Sequence, residues 1–259
     1  MFFHIFDNYK VIYKGDYFVV GELVLMESKN KLEKSELANY QPKTLQTPEA
    51  NPAPRVMNLY IIRHGETVWN KEDPHRLQGR TDVALSAEGI KQAKKIAERL
   101  SSESIALIYS SPLKRAKHTA KEIAKHHKGI KVMEDSDIIE LDFGHFDGLN
   151  SDEIRAKYPE DWEKREADKW DFRIGEGESY SDLDVRAKRF LNKVMGERKD
   201  CLVVAHGTMN KIILMRLLGK SHDEINKHHY GNTSLSVFEI NSKGEVKTLL
   251  FNSIDHLKK

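Results

Sequence analysis

From residue 57 onward the sequence predicts an α/β domain: a mostly parallel central sheet with helices on both faces, preceded by a short N-terminal β-rich extension. Three observations predict it. Short apolar runs bounded by polar loops recur at 59–62, 105–109 and 202–205. Stretches with apolar residues at helical spacing lie between and after them. The alternation itself is the third, because strands joined through helices pair in parallel and present a crevice at their carboxyl ends.

The elements follow in order. Residues 9–26 read as two short β-rich runs around Lys14-Gly15-Asp16. A lone hairpin is marginal in water, so this extension, 1–26, docks on something or frays. Residues 27–56 are polar and hold four of the seven prolines, Pro42, Pro48, Pro52 and Pro54, which is the chemistry of a linker. The domain 57–259 opens with the strand 59–62, and Met57, directly before it, is an alternative natural start. A polar loop runs to Ser86, and the helix 87–100 carries Ile90, Ala93, Ile96 and Leu100 along one face. After the strand 105–109, Ser111 as N-cap and Pro112 in the first turn begin a helix that runs to about His126. A short strand at 131–133 and several helical segments over 150–196 come next. The strand 202–205 leads to an apolar helix over 209–218, and Ser221 with Glu224 forms a capping box for another. Two β-rich runs, 234–240 and 246–251, end the pattern.

Composition narrows the function. Lys plus Arg is 42 against 40 Asp plus Glu, a net charge of +2, so no overall field draws the chain to nucleic acid or an anionic membrane. Apolar residues at 39% supply a core, and charged residues at 32% supply well-solvated helix faces. No apolar run approaches the ~18 residues that span a bilayer. The apolar start is broken by Asp7, Lys10, Lys14, Asp16 and Glu22, unlike a signal peptide. One cysteine, Cys201, excludes an internal disulfide framework and a Cys-based zinc cluster. A soluble, cytoplasmic protein is expected.

The chemistry concentrates at strand ends. The first domain strand breaks into Arg63-His64-Gly65-Glu66-Thr67-Val68-Trp69-Asn70. The strand beginning at Cys201 ends likewise in His206-Gly207. Two strands that each deliver a histidine at the carboxyl end put both imidazoles in one crevice. A third strand leads through Ser110-Ser111-Pro112-Leu113-Lys114 to Arg115 in a helical first turn. There the positive helix end and a planar guanidinium both suit phosphate oxygens.

With these residues stand Arg76-Leu77-Gln78-Gly79-Arg80-Thr81-Asp82, Glu140-Leu141-Asp142-Phe143-Gly144, Phe146-Asp147-Gly148, Gly177-Glu178-Ser179-Tyr180 and Arg186. In that order the chain resembles the histidine phosphatase superfamily, in the branch that holds cofactor-dependent phosphoglycerate mutases and broad-specificity phosphatases. The match covers nearly all of 57–259, and residues 1–56 lie outside it. The resemblance implies a phosphoglycerate mutase-like fold and a metal-independent phosphomonoester hydrolase that acts on small phosphorylated metabolites without a cofactor. It implies His64 as the nucleophile that carries a phosphohistidine. Arg63, Arg115 and a protonated His206 would clamp the phosphoryl oxygens, with Asn70 as a neutral donor and Gln78, Gly79 and Gly207 along the rim. Glu140 would protonate the leaving alkoxide and then activate water. A phosphoglycerate mutase and a non-catalytic binder of phosphorylated ligands are the alternatives. The mutases' long insertion between acid and second histidine is missing, and Arg80 follows Gly79 where they place tryptophan; both departures favour hydrolysis. Thr208 and Lys211 replace a glycine and an arginine common in relatives.

Other features have plainer readings. The pairs His126-His127 and His228-His229 are expected at the surface, since adjacent helical positions point about 100° apart and share a metal poorly. No metal site is expected. The cations between Lys91 and Arg99 belong on a solvated helix face, and Cys201 reads as a small buried hydrophobe. Trp162 and Trp170 suit either a cover over the site or anchors for helices. The expected partner is a small phosphorylated metabolite, not nucleic acid or membrane, and the oligomeric state stays open.

Overall fold

Side chains alternate across a strand, so each strand of a covered sheet feeds two cores. The computed structural model of the chain describes residues 11–14, 17–20, 23–26 and 56–258 apart from residue 228. The chain divides into two units, Met1–Pro52 and Ala53–Lys259. In the first, β1 (Val11–Lys14), β2 (Tyr17–Val20) and β3 (Leu23–Met26) form an antiparallel meander. The run expected as one strand after Asp16 is two, with Gly21 and Glu22 between them. The proline-rich stretch expected as a linker, 27–56, lies outside the described residues except for Val56, which is exposed.

The second unit holds β4 (Met57–Arg63), α1 (Ala87–Leu100), β5 (Leu107–Ser110), α2 (Lys114–Ala124) and β6 (Val132–Glu134). Then come α3 (Ser151–Lys157), α4 (Pro159–Ala167), α5 (Tyr180–Glu197) and β7 (Cys201–Ala205). The chain ends with α6 (Gly207–Leu218), α7 (His222–Asn226), β8 (Leu235–Ile240) and β9 (Val246–Ser253). The six strands form one sheet in the order β6-β5-β7-β4-β8-β9. Pairing is parallel from β6 through β4 and antiparallel from β4 through β9.

The alternation resolves into two buried clusters. Leu59, Ile61, Tyr109, Val203 and Ala205 pack with Leu183, Phe190, Met209 and Ile213 from α5 and α6. Tyr60, Ile62, Ile108, Leu202 and Val204 pack on the other face with Ile96, Leu100, Ala116, Ala120 and Ile123 from α1 and α2. These strands are continuous apolar runs because both faces are covered.

Some boundaries differ from the sequence reading. β5 starts at Leu107 rather than residue 105, because the N–H groups of Ala106 and Leu107 both turn to the Asp200 carbonyl at 2.9 and 3.1 Å, just before β7 begins. α2 starts at Lys114, with Leu113 as its N-cap residue, so Ser111 does not cap it. Ser86 does cap α1, accepting from the Gly89 N–H at 3.0 Å. Ser221 and Glu224 make the expected box, the serine N–H donating to the carboxylate at 3.0 Å. His127 is buried rather than exposed, in the turn after α2 where its N–H donates to the Ala124 carbonyl at 3.1 Å, while His126 stays at the surface. Cys201 is fully buried, and burial pushes its thiol up to about 12, consistent with an inert hydrophobe. Trp162 and Trp170 pack against the α5–α6 core, which favours the anchoring reading. Among the described residues no helix is long and apolar enough to cross a membrane, and no group of three His, Cys, Asp or Glu could hold a metal ion.

Candidate active site

The strand register builds the site. Arg63 pairs with Ala205 and Ser110 with Val204, so β4, β7 and β5 end side by side at one level. The next residues are therefore neighbours. The His64 N–H donates to the Ala205 carbonyl at 3.0 Å, and the Ser111 N–H donates to the Val204 carbonyl at the same distance. The His64 and His206 rings stand 5.2 Å apart between centroids, tilted by 57°. Arg115, in the first turn of α2, is fully buried against them.

His64 is prepared by its own loop. Its Nδ1 lies 2.7 Å from the Gly65 carbonyl oxygen and donates to it, which leaves Nε2 with its lone pair. Burial first, and then the charges of Arg115 and Arg63, hold its pKa well below the usual imidazole value. Gly65 must be glycine, because a Cβ there would lie 2.6 Å from the Gly89 carbonyl oxygen at the start of α1.

The arginines differ in their ties. Arg63 donates from Nη1 to the Tyr230 carbonyl at 2.5 Å. Arg115 donates from Nη1 to the Thr81 carbonyl and from Nη2 to the Gly79 carbonyl, both at 2.7 Å, and from Nε to His206 Nδ1 at 3.2 Å. Three of its five N–H groups thus fix the fork, and two are left to serve a ligand. Burial lowers Arg115 to about 10, with Glu140 acting against the shift, so it stays charged at neutral pH.

His206 departs from its expected state. Its Nδ1 accepts from Arg115 and its Nε2 lies 2.7 Å from Ser111 Oγ, so the proton sits on Nε2 and the ring is neutral. Burial and the neighbouring Arg115 hold its pKa well below the usual value. Ser111, expected as a helix cap, is instead its hydroxyl partner.

Glu140 is buried on the loop before α3. Its Oε1 accepts from the Leu141 N–H at 2.9 Å and the Met209 N–H at 3.1 Å, and its Oε2 accepts from the Thr208 N–H at 3.1 Å. Two of these donors are first-turn amides of α6, which have no partner within the helix. Arg186 holds the segment from behind, donating to the Asp137 and Ile139 carbonyls at 2.8 and 3.1 Å and pairing with both Glu178 oxygens.

The rim residues meet at one cavity of about 440 Å³, lined by Arg63, His64, Asn70, Gln78, Gly79, Arg115, Glu140 and Gly207. Asn70 Oδ1 accepts from the Thr67 N–H at 3.0 Å and from Asn232 at 3.3 Å, which turns its NH2 toward the cavity. Gly79 has φ of +44°, and a Cβ there would strike Asp147 Oδ1, so only glycine fits the rim. The same cavity wall includes Phe143, Arg165, Tyr180 and Lys211, which the sequence reading did not place there. Lys211 lies one helical turn after Gly207 on α6, at the position where the resemblance has an arginine, and these two signals pointed to it. Asn232, which donates to the His64 carbonyl at 3.1 Å, has no local signal at all.

The buried histidines make a prediction for stability. His64 and His206 are held neutral in the fold, and burial lowers His256 to about 4. As pH falls through ~6.5 the unfolded chain takes up these protons first, so stability declines. Above that pH the three contribute nothing. Asp147, pushed up to about 6 by burial, acts the opposite way below pH 6, but it is one group against three. The melting temperature should therefore drop steadily from pH 7 to pH 5; a flat or rising profile would contradict neutral buried imidazoles.

Comparison with known proteins agrees with this geometry. Residues 59–253 match the histidine phosphatase superfamily (branch 1). Phosphoserine phosphatase 1 of Hydrogenobacter thermophilus is 35% identical over 204 residues, covering 78% of this chain and 95% of that protein. A 2,3-bisphosphoglycerate-dependent phosphoglycerate mutase of Gloeobacter violaceus is 31% identical over 206 residues, covering 77% of this chain and 93% of that protein. Among solved structures, a phosphoserine phosphatase of Entamoeba histolytica in complex with 3-phosphoglyceric acid superposes with a TM-score of 0.67 at 30% identity, covering 78% of this chain and 99% of that one. The chain belongs to branch 1 of the histidine phosphatase superfamily and is an enzyme of the phosphatase class.

Proposed function

We propose that this phosphatase is a metal-independent phosphomonoester hydrolase of the cytoplasm that works on small phosphorylated metabolites through a phosphohistidine on His64. One observation carries the reading: a neutral His64, with Nδ1 tied to Gly65 and Nε2 open, shares a cavity with Arg63, Arg115 and the carboxyl of Glu140. His64 Nε2 attacks phosphorus, the ester P–O bond breaks, and the alkoxide leaves with a proton from Glu140. Water then gives a proton to Glu140 as its oxygen attacks the same phosphorus, and the P–N bond breaks to free His64 and inorganic phosphate. The two arginines neutralise the equatorial oxygens in both steps. A phosphoryl dianion beside the ring opposes the burial and the arginine charges that hold His206 neutral, so His206 takes a proton on Nδ1, the Arg115 Nε–H turns from it to the phosphoryl oxygens, and His206 becomes the third member of the clamp. Asn70, Gln78, Gly79 and Gly207 complete the binding rim, and the domain 57–259 contains every group involved.

A phosphoglycerate mutase would use the same first step, and a relative of that name is similar over most of the chain. The missing insertion between Glu140 and His206, and Arg80 after Gly79 where the mutases place tryptophan, favour water over retention of an intermediate. The two readings separate in one assay: 3-phosphoglycerate with catalytic 2,3-bisphosphoglycerate, in the presence of EDTA. Inorganic phosphate should be released at a rate unaffected by the chelator. Rapid isomerisation to 2-phosphoglycerate with negligible phosphate release would establish the mutase instead, and loss of activity on chelation would contradict the metal-free mechanism.

A further inference from the structure

The outer half of the cavity is more basic than a single phosphate requires. Beyond Arg63 and Arg115 its wall includes Arg165, in the last turn of α4, and Lys211, on α6. Glu140 is the one acid among the described lining residues, and its oxygens already receive the Leu141, Thr208 and Met209 amides. The Arg165 guanidinium is nearly buried, 5.9 Å over the Phe143 ring, and its Nη1 donates to Glu166 at 3.0 Å, which leaves Nε and Nη2 for a ligand. Lys211 is half-buried, and burial outweighs the attraction of Glu140 to lower its pKa, with Arg63, Lys169 and Arg165 adding smaller amounts. The half-buried wall thus carries more cations than acids, and an anion bound there is attracted by both Lys211 and Arg165.

We propose that Lys211 and Arg165, with the Tyr180 hydroxyl, form a second anion subsite. The preferred substrate is then a small phosphomonoester with a further anionic group, such as a carboxylate, a few bonds from the ester. This rests on the phosphatase reading and narrows it. Guanidinium, ammonium and phenol together offer a planar fork, a point charge and a neutral donor, which suit a carboxylate better than a hydroxyl group. Arg63 and Arg115 meanwhile hold the phosphoryl group, so the two anions of one substrate are recognised by separate cations.

The matched probes are 3-phosphoglycerate and glycerol 3-phosphate, which differ by a carboxylate in place of a CH2OH. The wild type should prefer 3-phosphoglycerate in kcat/KM by about tenfold or more. In Lys211→Met the preference should fall toward one, because KM for 3-phosphoglycerate rises more than KM for glycerol 3-phosphate. Arg165→Gln should move it the same way, and Lys211→Arg should restore it. Equal use of both probes by the wild type, or an unchanged ratio in Lys211→Met, would overturn the subsite. Calorimetric binding of both probes to His64→Ala protein reads the subsite without turnover: tighter binding of 3-phosphoglycerate supports it even where neither probe is hydrolysed, a result that would sink the phosphatase reading alone. Equal affinities would sink the subsite alone.

Discussion

His64→Ala should reduce turnover to background, a loss of more than about 10⁴-fold, while the protein still folds. The imidazole forms the covalent bond in the proposed mechanism, and the neighbouring histidine cannot take its place: His206 has Nδ1 on Arg115 and Nε2 on Ser111. Labelled substrate should leave acid-labile, base-stable phosphate on the wild type and none on the variant. Circular dichroism should show an unchanged, cooperative fold, since the lost groups are one ring and its bond to Gly65. More than a few per cent of wild-type activity in His64→Ala would refute the phosphohistidine.

Glu140→Gln should cost an alkyl phosphate about 10²–10⁴-fold in kcat/KM, the usual range for a lost general acid. An activated aryl phosphate, whose leaving group hardly needs a proton, should lose far less. The structure adds a complication that the ratio removes. A glutamine can accept the Leu141 and Met209 amides with its oxygen, but its NH2 would then face the Thr208 N–H. That clash of donors costs about 1–3 kcal/mol and displaces the side chain. It would slow both substrates alike, so only the difference between them reports proton transfer. Equal losses would make Glu140 a positioning group rather than the acid.

The two histidines are legible in the chain itself for a physical reason. An apolar run of four or five residues covered on both faces can only be an inner strand, and the polar residues that follow it must emerge at its end. Arg63-His64-Gly65 and His206-Gly207 do so, and the parallel register then leaves the two rings little choice but to meet. Helix α1 is equally clear, since Ser86, Ala93, Ile96 and Leu100 give both its cap and its buried stripe.

What stays hidden depends on contacts between residues far apart in the chain. Ser111 has good N-cap chemistry, but Leu113 precedes the helix and the serine hydroxyl meets a histidine ring 95 positions away. The protonated His206 suggested by resemblance is neutral because the Arg115 guanidinium and full burial act on it together, and neither is visible in spacing. Lys211 and Arg165 sit on different helices and share a wall only because α4 and α6 border the same cavity. By itself the sequence determined the order of strands and helices, the two histidines at strand ends, and the arginine that follows the third strand. Tertiary structure alone decided which polar atoms face one another, and hence protonation and the charge of the outer wall. Periodicity acts through neighbours within one or two turns, whereas desolvation and Coulomb interactions depend on distance in space.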